Sequence, residues 1–361
     1  MIITSTGYYA TGSSAAFNFL KEYSSCTAGK LADRDYENII MYTPNGVFDL
    51  EDKLLVGNSI HRSDEALNSF YKEMKRLNNY DFDWFGNYGT LLGQEFMFSV
   101  DKLIEELTTF EVKGHWSYDF LRTRISIRGI LGDLKKLCCG YTPKHRVGER
   151  IVYRNKNTIR YSYVSPEVFY THVKDFVNEY FRLIFNNTGK NLILNHFLLP
   201  HNLHRIDKYF DDDLRVIVVE RDPRDVFIQE KYGALLRGNT PRIPIEVNDF
   251  IDFWRGLRAF ENPINDRRIV KIYLEDMIYH YEETKKRIED SCGLQSADHL
   301  QCKKIFFPDK SIENTQLFLI EGNWYEEILQ IERELQEYLY DFPFERCPHS
   351  DFRNFGIAHE K

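Results

Sequence analysis

The sequence predicts an α/β protein built on a parallel β-sheet that helices cover on both faces. Short apolar runs alternate along the chain with segments of helical periodicity. The runs are continuously apolar rather than alternating with polar residues, which is typical of strands that are buried on both faces. A chain of 361 residues is long enough to bury a large core. We therefore expect a single three-layer domain over residues 1–361.

The first half of the chain supplies two predicted strands and three predicted helices. Residues 2–6 are predicted as a strand because β-branched residues dominate them, and 13–23 as a helix because apolar residues recur three and four apart. Residues 38–42 form a short apolar run that ends at a Thr-Pro-Asn-Gly turn, and they are predicted as the second strand. Helical periodicity returns over 63–77 and 100–107.

The second half contains three predicted strands and a closing helix. Residues 191–196 and 269–274 are short apolar runs, and 214–219 (Leu-Arg-Val-Ile-Val-Val) is the strongest strand candidate of the whole chain. Residues 324–340 are predicted as the last helix.

Residues 78–165 do not follow this alternation, and we predict a helical, aromatic-rich insert rather than a separate domain. Aromatic side chains and arginines are concentrated there: Tyr80, Trp84, Phe85, Trp116, Tyr118, Arg122, Arg124 and Arg128.

Composition and charge exclude several classes of protein. With 47 Lys and Arg against 55 Asp and Glu, the net charge of −8 argues against broad nucleic-acid binding. No apolar stretch approaches the length of a membrane span, and no basic-then-apolar leader precedes the first strand. The six cysteines lack the spacing of a metal site, which favours free thiols in a reducing compartment. We therefore expect a cytoplasmic protein that needs no metal. The sequence leaves open whether the chain forms a homo-oligomer.

A phosphate-binding loop is predicted between the first strand and the first helix. Residues 7–14 have the glycine spacing of the G-x-x-x-x-G-K-[ST] motif, with Ser13 in place of the lysine. Backbone N–H groups of such a loop point into one concavity, and the helix that begins at Ser13 adds its positive dipole end. A tight strand–helix turn with a serine cap is the alternative. Loss of the lysine argues against an ATPase, a GTPase or a nucleoside kinase.

A second group of charged residues follows the strongest strand. The segment Arg221-Asp222-Pro223-Arg224-Asp225 places cations at the carboxyl edge of the sheet, where α/β proteins bind ligands. Arginine suits bidentate binding of phosphate. The alternative is a helix start with an internal Arg–Asp pair.

Taken together, the two motifs resemble the sulfotransferases that use 3′-phosphoadenosine 5′-phosphosulfate (PAPS), most closely a bacterial carbohydrate-type member. The resemblance covers residues 1–25 and 190–295. It implies P-loop-NTPase-like topology and PAPS as the donor, with no metal. In this family the loop cradles the 5′-phosphosulfate and the strand-end arginine binds the 3′-phosphate. The donor-binding residues expected here are Tyr9, Ala10, Thr11, Gly12, Ser13, Ser14, Arg221, Arg224 and Gln229.

Two positions depart from the family pattern. Ala10 stands where the family usually has Lys or Arg, and Gln229 stands where it has a serine. A glutamine can still donate a hydrogen bond, whereas an alanine cannot replace a cation. Either a basic residue of the insert reaches the loop, or the donor is a different 3′-phosphonucleotide. A nucleotide-binding protein that has lost catalysis is the remaining alternative.

Transfer of a sulfuryl group to a hydroxyl needs a base that removes the hydroxyl proton. His196 is the first candidate, because imidazole titrates near neutrality and the segment 191–200 resembles the one that carries the family's catalytic histidine. Glu51, within the acidic cluster 49–52, is the second candidate, and a solvated helix start is the alternative for that cluster. Aromatic residues of the insert could stack on sugar faces, so a carbohydrate or polysaccharide unit is the expected acceptor.

Overall fold

A five-stranded parallel β-sheet forms the centre of the protein, as the sequence predicts. The computed structural model describes residues 1–31, 36–57, 60–113, 158–185, 189–234, 238, 240–261, 265–320 and 322–344. The sheet contains β1 (Ile2–Gly7), β2 (Cys26–Thr27), β5 (Asn191–Asn195), β6 (Leu214–Glu220) and β7 (Ile269–Tyr273). A separate antiparallel pair is formed by β3 (Phe110–Lys113) and β4 (Thr158–Tyr161).

The strands lie in the order β2-β5-β1-β6-β7, so the first strand of the chain is the central one. Ser5 of β1 lies opposite Asn195 of β5 on one side and Ile217 of β6 on the other. The loops that follow β1, β5 and β6 therefore leave the same edge of the sheet side by side. In α/β proteins this edge is where ligands bind.

Helices flank this sheet and continue beyond it. In chain order they are α1 (Ser13–Lys21), α2 (Val47–Leu55), α3 (Ser63–Asn79), α4 (Tyr88–Leu91), α5 (Glu95–Glu106), α6 (Pro166–Ile184), α7 (Ile206–Tyr209), α8 (Pro223–Ile228), α9 (Val247–Ala259), α10 (Leu274–Tyr279), α11 (Tyr281–Cys292), α12 (Pro308–Ser311) and α13 (Tyr325–Glu334). No helix within the described ranges has the length and apolar character needed to cross a membrane.

Successive residues of the inner strands enter different cores, which makes the fold a three-layer one. On β6, Val216 and Val218 belong to the core beneath α2, α3, α5 and α6, whereas Ile217 and Val219 belong to the core beneath α1 and α11. A third core joins α8, α9 and α13. Burial on both faces explains why the strands are continuously apolar in the sequence.

The prediction of a strand over residues 38–42 is wrong. Ile40 and Met41 are fully buried, as a strand would require. Their backbone instead turns into α2, because the Val47 and Phe48 N–H groups donate to the Ile40 and Met41 carbonyls. Hydrophobic burial alone does not distinguish these two conformations in so short a run.

The described part of the insert shares its core with the rest of the chain. Phe96 and Val100 of α5 lie in the same core as Phe70 of α3 and Phe176 of α6. This part contains α4, α5 and the strands β3 and β4, so it is not purely helical.

Candidate functional site

The loop between β1 and α1 curls tightly, and its residue types explain how. A Cβ at Gly7 would lie 2.4 Å from Thr11 Oγ1 and 2.7 Å from the Val219 carbonyl oxygen, so only glycine fits there. Ala10 and Gly12 have φ of 58° and 89°, in the left-handed region. The Thr11 hydroxyl accepts a hydrogen bond from the Tyr8 N–H at 3.0 Å and donates one to the Tyr8 carbonyl at 3.1 Å. The loop is therefore held by its own side chains.

This loop separates two cavities, and Ala10, Gly12 and Ser14 line both of them. We call the first, of about 430 Å³, the Arg221 cavity; its other lining residues include Asn18, Gln229, Phe306, Phe307 and Lys310. We call the second, of about 580 Å³, the His196 cavity; its other lining residues include Tyr9, Ser13, Glu37, Arg76, Trp84, Phe85, His201 and Arg242.

Arg221 reaches the loop from the end of β6. Its guanidinium is buried, with Nη1 donating to the Ala10 carbonyl at 2.8 Å and to Gln229 Oε1, and Nη2 donating to the Asn314 carbonyl at 2.6 Å. Its Nε has no hydrogen-bond partner among the described residues. Gln229 opens a π-helical turn, Gln229–Gly233, which directs its side chain toward Arg221. The structure thus brings Arg221, Gln229 and the loop together.

Glu275, the second residue of α10, holds the end of β6 in place. Its carboxyl Oε1 accepts a hydrogen bond from the Asp222 backbone N–H at 3.0 Å, and both side chains are fully buried. Burial, reinforced by the charges of Asp225 and Asp222, raises the pKa of Glu275 to about 8. The protonated form therefore predominates at neutral pH.

Glu275→Gln is expected to remove a pH dependence of folding stability. Because the folded-state pKa is raised, the stability that Glu275 contributes is complete below its ordinary pKa of 4.5 and is lost as the pH rises through about 8. Thermal unfolding over this pH range measures the effect, and the variant should be more stable than the wild type at the alkaline end. Glu282→Gln, an exposed site on α11, is the matched control. Equal pH dependence in the wild type and both variants would contradict the assignment.

Arg224 does not point into either cavity. Its guanidinium pairs with Asp222 at 2.7 Å and Glu332 at 2.7 Å, and it lies 3.8 Å from the centroid of the Phe318 ring. Asp222 also caps α8 by accepting from the Arg224 N–H. The alternative interpretation, a helix start with an internal Arg–Asp pair, describes these contacts.

His196 directly follows β5, has a φ of 49°, and contacts the loop with its side chain. Its backbone N–H donates to the Ser5 carbonyl at 2.9 Å, and its imidazole Nε2 lies 2.5 Å from Ser13 Oγ. Burial lowers the pKa of His196 to about 4, so the imidazole is neutral at physiological pH. The structure therefore places the first predicted base against the predicted phosphate loop.

Glu37 is an acidic residue that lines the His196 cavity, and the sequence analysis missed it. Its N–H donates to the Trp84 carbonyl at 2.8 Å, and its backbone pairs with Asn195, the residue before His196. Burial raises the pKa of Glu37 to about 7, although the positive charge of Arg242 opposes the shift. A carboxyl group in a cavity with a pKa near neutrality is suited to general base catalysis. Its only sequence signal was an acidic residue directly before the buried run at 38–42.

Glu51 lies outside both cavities, at the centre of a structural cluster. It accepts hydrogen bonds from the Tyr170 and Tyr209 hydroxyls at 2.5 and 2.7 Å. It also pairs with Arg205 at 3.0 Å and Lys208 at 3.1 Å. Burial alone would raise the pKa of Glu51, but these hydrogen bonds and the Arg205 charge hold it below the ordinary value. Its contacts join α2 to α6 and α7.

Aromatic residues of the insert reach the site in part. Trp84 and Phe85 line the His196 cavity, and Trp84 is 51% exposed. Tyr80 is an exposed residue that does not line this cavity. The other aromatic and basic candidates lie outside the described residues: Trp116, Tyr118, Arg122, Arg124 and Arg128.

Cations from outside the predicted motifs line the two cavities in the described structure. Lys310 lines the Arg221 cavity, with its ammonium 4.8 Å from the centroid of the Phe307 ring. Arg76 and Arg242 line the His196 cavity. Arg76 is paired with Glu73 at 2.6 Å, whereas Arg242 is exposed. Positive charge is therefore present on both sides of Ala10.

Comparison of the chain with protein-family models, with curated proteins and with solved structures finds no match. The functional argument therefore depends on the site itself.

Proposed function

We propose that this protein is a sulfotransferase that transfers a sulfuryl group from PAPS to a hydroxyl of a carbohydrate acceptor. The observation that carries the proposal is the meeting of two cavities at one phosphate-type loop. Arg221 and Gln229 lie on one side of it, and His196 and Glu37 on the other. An in-line transfer needs this arrangement, because donor and acceptor must approach the sulfur from opposite sides.

The Arg221 cavity is assigned to the donor. The N–H groups of the loop and the positive end of the α1 dipole favour the phosphosulfate, and Ser14 adds a hydroxyl donor. Arg221 and Gln229 receive the 3′-phosphate, to which the guanidinium offers its unpartnered Nε. Lys310 supplies the positive charge that Ala10 lacks.

The His196 cavity is assigned to the acceptor and its base. The acceptor oxygen attacks the sulfur, the bond from sulfur to the 5′-phosphate oxygen breaks, and the hydroxyl proton passes to the base. The products are a sulfate ester and adenosine 3′,5′-bisphosphate. Glu37 is the better matched base, because its pKa of about 7 is closer to working pH than the value of about 4 for His196. His196 then positions Ser13 at the transferring group.

A carbohydrate acceptor is supported by the walls of this cavity. Trp84 and Phe85 offer aromatic faces, and Arg76 and Arg242 offer hydrogen-bond donors. Aromatic faces beside polar groups suit sugar rings, which are apolar on their faces and polar at their edges.

Calorimetric titration with adenosine 3′,5′-bisphosphate tests the donor assignment, with AMP and ATP as controls. We expect micromolar binding that depends on the 3′-phosphate, because Arg221 is the buried cation of the donor cavity. Preference for ATP, or no binding, would contradict the proposal. Binding of the bisphosphate without transfer from PAPS to any glycan would favour a different 3′-phosphonucleotide donor, the candidate that Ala10 suggests.

A further inference from the structure

We propose that the acceptor is an oligosaccharide chain whose neighbouring rings leave the His196 cavity along a groove on α9. This inference rests on the proposed function and adds the size of its substrate. We define the α9 groove by His201, Asn202, Phe253, Gly256, Leu257 and Phe260.

The α9 groove continues the His196 cavity. The two spaces share His201 and Leu257 in their walls, and the groove adds a volume of about 650 Å³. Tyr9 of the phosphate-type loop lies beside both, since its ring centroid is 5.8 Å from that of Phe253. A ligand whose reacting hydroxyl lies at the loop can therefore extend into the groove.

One face of α9 forms the floor of this groove. Phe253, Gly256, Leu257 and Phe260 follow the spacing i, i+3, i+4, i+7, which places them in one stripe. The stripe extends about 10 Å along the helix at 1.5 Å per residue, a length that accommodates consecutive sugar rings. The adjacent face carries Phe250, Ile251 and Trp254 into the third core. Phe253 is partly buried against this core and Leu257 against the core beneath α2, α3, α5 and α6, whereas Phe260 at the end of the stripe is exposed.

The chemistry of the stripe fits a sugar chain. Phe260 is 75% exposed, and His201 and Asn202 provide hydrogen-bonding groups beside the aromatic rings. Gly256 has no side chain, and a Cβ there would meet no atom within 4 Å, so the groove is open at this position. Continuity with the cavity that holds the reacting hydroxyl favours the acceptor itself as the occupant, rather than a separate protein.

Filling the groove tests this inference without disturbing the core. Gly256→Trp places a large side chain in open space, and Gly256→Ala is the matched control, which changes the helix but leaves the groove open. Phe260→Ala removes the exposed ring, with Leu300→Ala as a control at another exposed apolar residue, 66% exposed. Each protein, loaded with adenosine 3′,5′-bisphosphate, is applied to an array that carries glucose-, N-acetylglucosamine- and glucuronate-containing glycans of one to six rings.

We expect the wild type and the two controls to bind the longer glycans about tenfold more tightly than single rings. Gly256→Trp and Phe260→Ala should lose this preference while they bind single rings as before. Equal binding of short and long glycans by the wild type, or binding to no glycan, would overturn the inference. So would a length preference that Gly256→Trp leaves unchanged. Because the titration with the bisphosphate is separate, a protein that binds the nucleotide but shows no length preference refutes this inference alone.

Discussion

Arg221→Ala is expected to weaken the binding of adenosine 3′,5′-bisphosphate by about 2–4 kcal/mol, or from about thirtyfold to almost a thousandfold. The reason is the burial of Arg221, a residue that is only 3% exposed and whose guanidinium is aligned by the Ala10 carbonyl, Gln229 and the Asn314 carbonyl. A phosphate bound there accepts charge-assisted hydrogen bonds from a buried guanidinium. Calorimetric titration measures the loss, and AMP should bind the variant and the wild type almost equally.

Arg224→Gln is the matched control for this prediction. Arg224 lies three residues further along the same segment, yet its guanidinium is engaged by Asp222, Glu332 and Phe318. We expect the control to lower the free energy of unfolding and to leave the affinity for the bisphosphate within about twofold, because none of these three partners lines the Arg221 cavity. Unchanged affinity in Arg221→Ala, or an equal loss in both variants, would contradict the assignment of the donor site.

Glu37→Gln is expected to lower the turnover number by a factor of about 10² to 10⁴, the usual contribution of a general base. Binding of the bisphosphate should be unchanged, because Glu37 lines the His196 cavity and not the Arg221 cavity. The measurement is the transfer of labelled sulfate from PAPS to the glycan that the wild type modifies fastest. Glu51→Gln is the control, which should lower stability but not turnover, because the Glu51 carboxylate is held by Tyr170, Tyr209 and Arg205.

The pH dependence of turnover distinguishes Glu37 from His196. A base acts in its deprotonated form, so a wild-type enzyme that uses Glu37 should lose activity as the pH falls through about 7. A base with the His196 pKa of about 4 would give no decline near neutrality. His196→Ala should also reduce turnover with nucleotide binding nearly intact, since it removes the partner of Ser13. If Glu37→Gln keeps full turnover and His196→Ala abolishes it, the base is His196, as the sequence analysis expected.

Much of the architecture was predictable because it depends on local sequence patterns. The strands β1, β5, β6 and β7 lie where continuous apolar runs predict them, and α1 begins at the predicted Ser13. A strand buried on both faces requires such a run wherever it lies in the sheet. The run at 38–42 was the exception, because buried turns and buried strands have the same short apolar pattern.

The sequence by itself determined which groups the chain offers: a loop with glycines at 7 and 12, an arginine at the end of the strongest strand, and a histidine after another strand. The tertiary structure decided which of them meet. The strand order β2-β5-β1-β6-β7 brings His196 to Ser13 across 183 positions of the chain, and Arg221 to Ala10 across 211. The same packing places Glu51 and Arg224 in structural ion pairs. It also brings Glu37 and Lys310 to the cavities, although neither belongs to a predicted motif. Periodicity and spacing describe neighbours along the chain, whereas the burial and partners that set the role of a charged side chain come from residues far away in sequence.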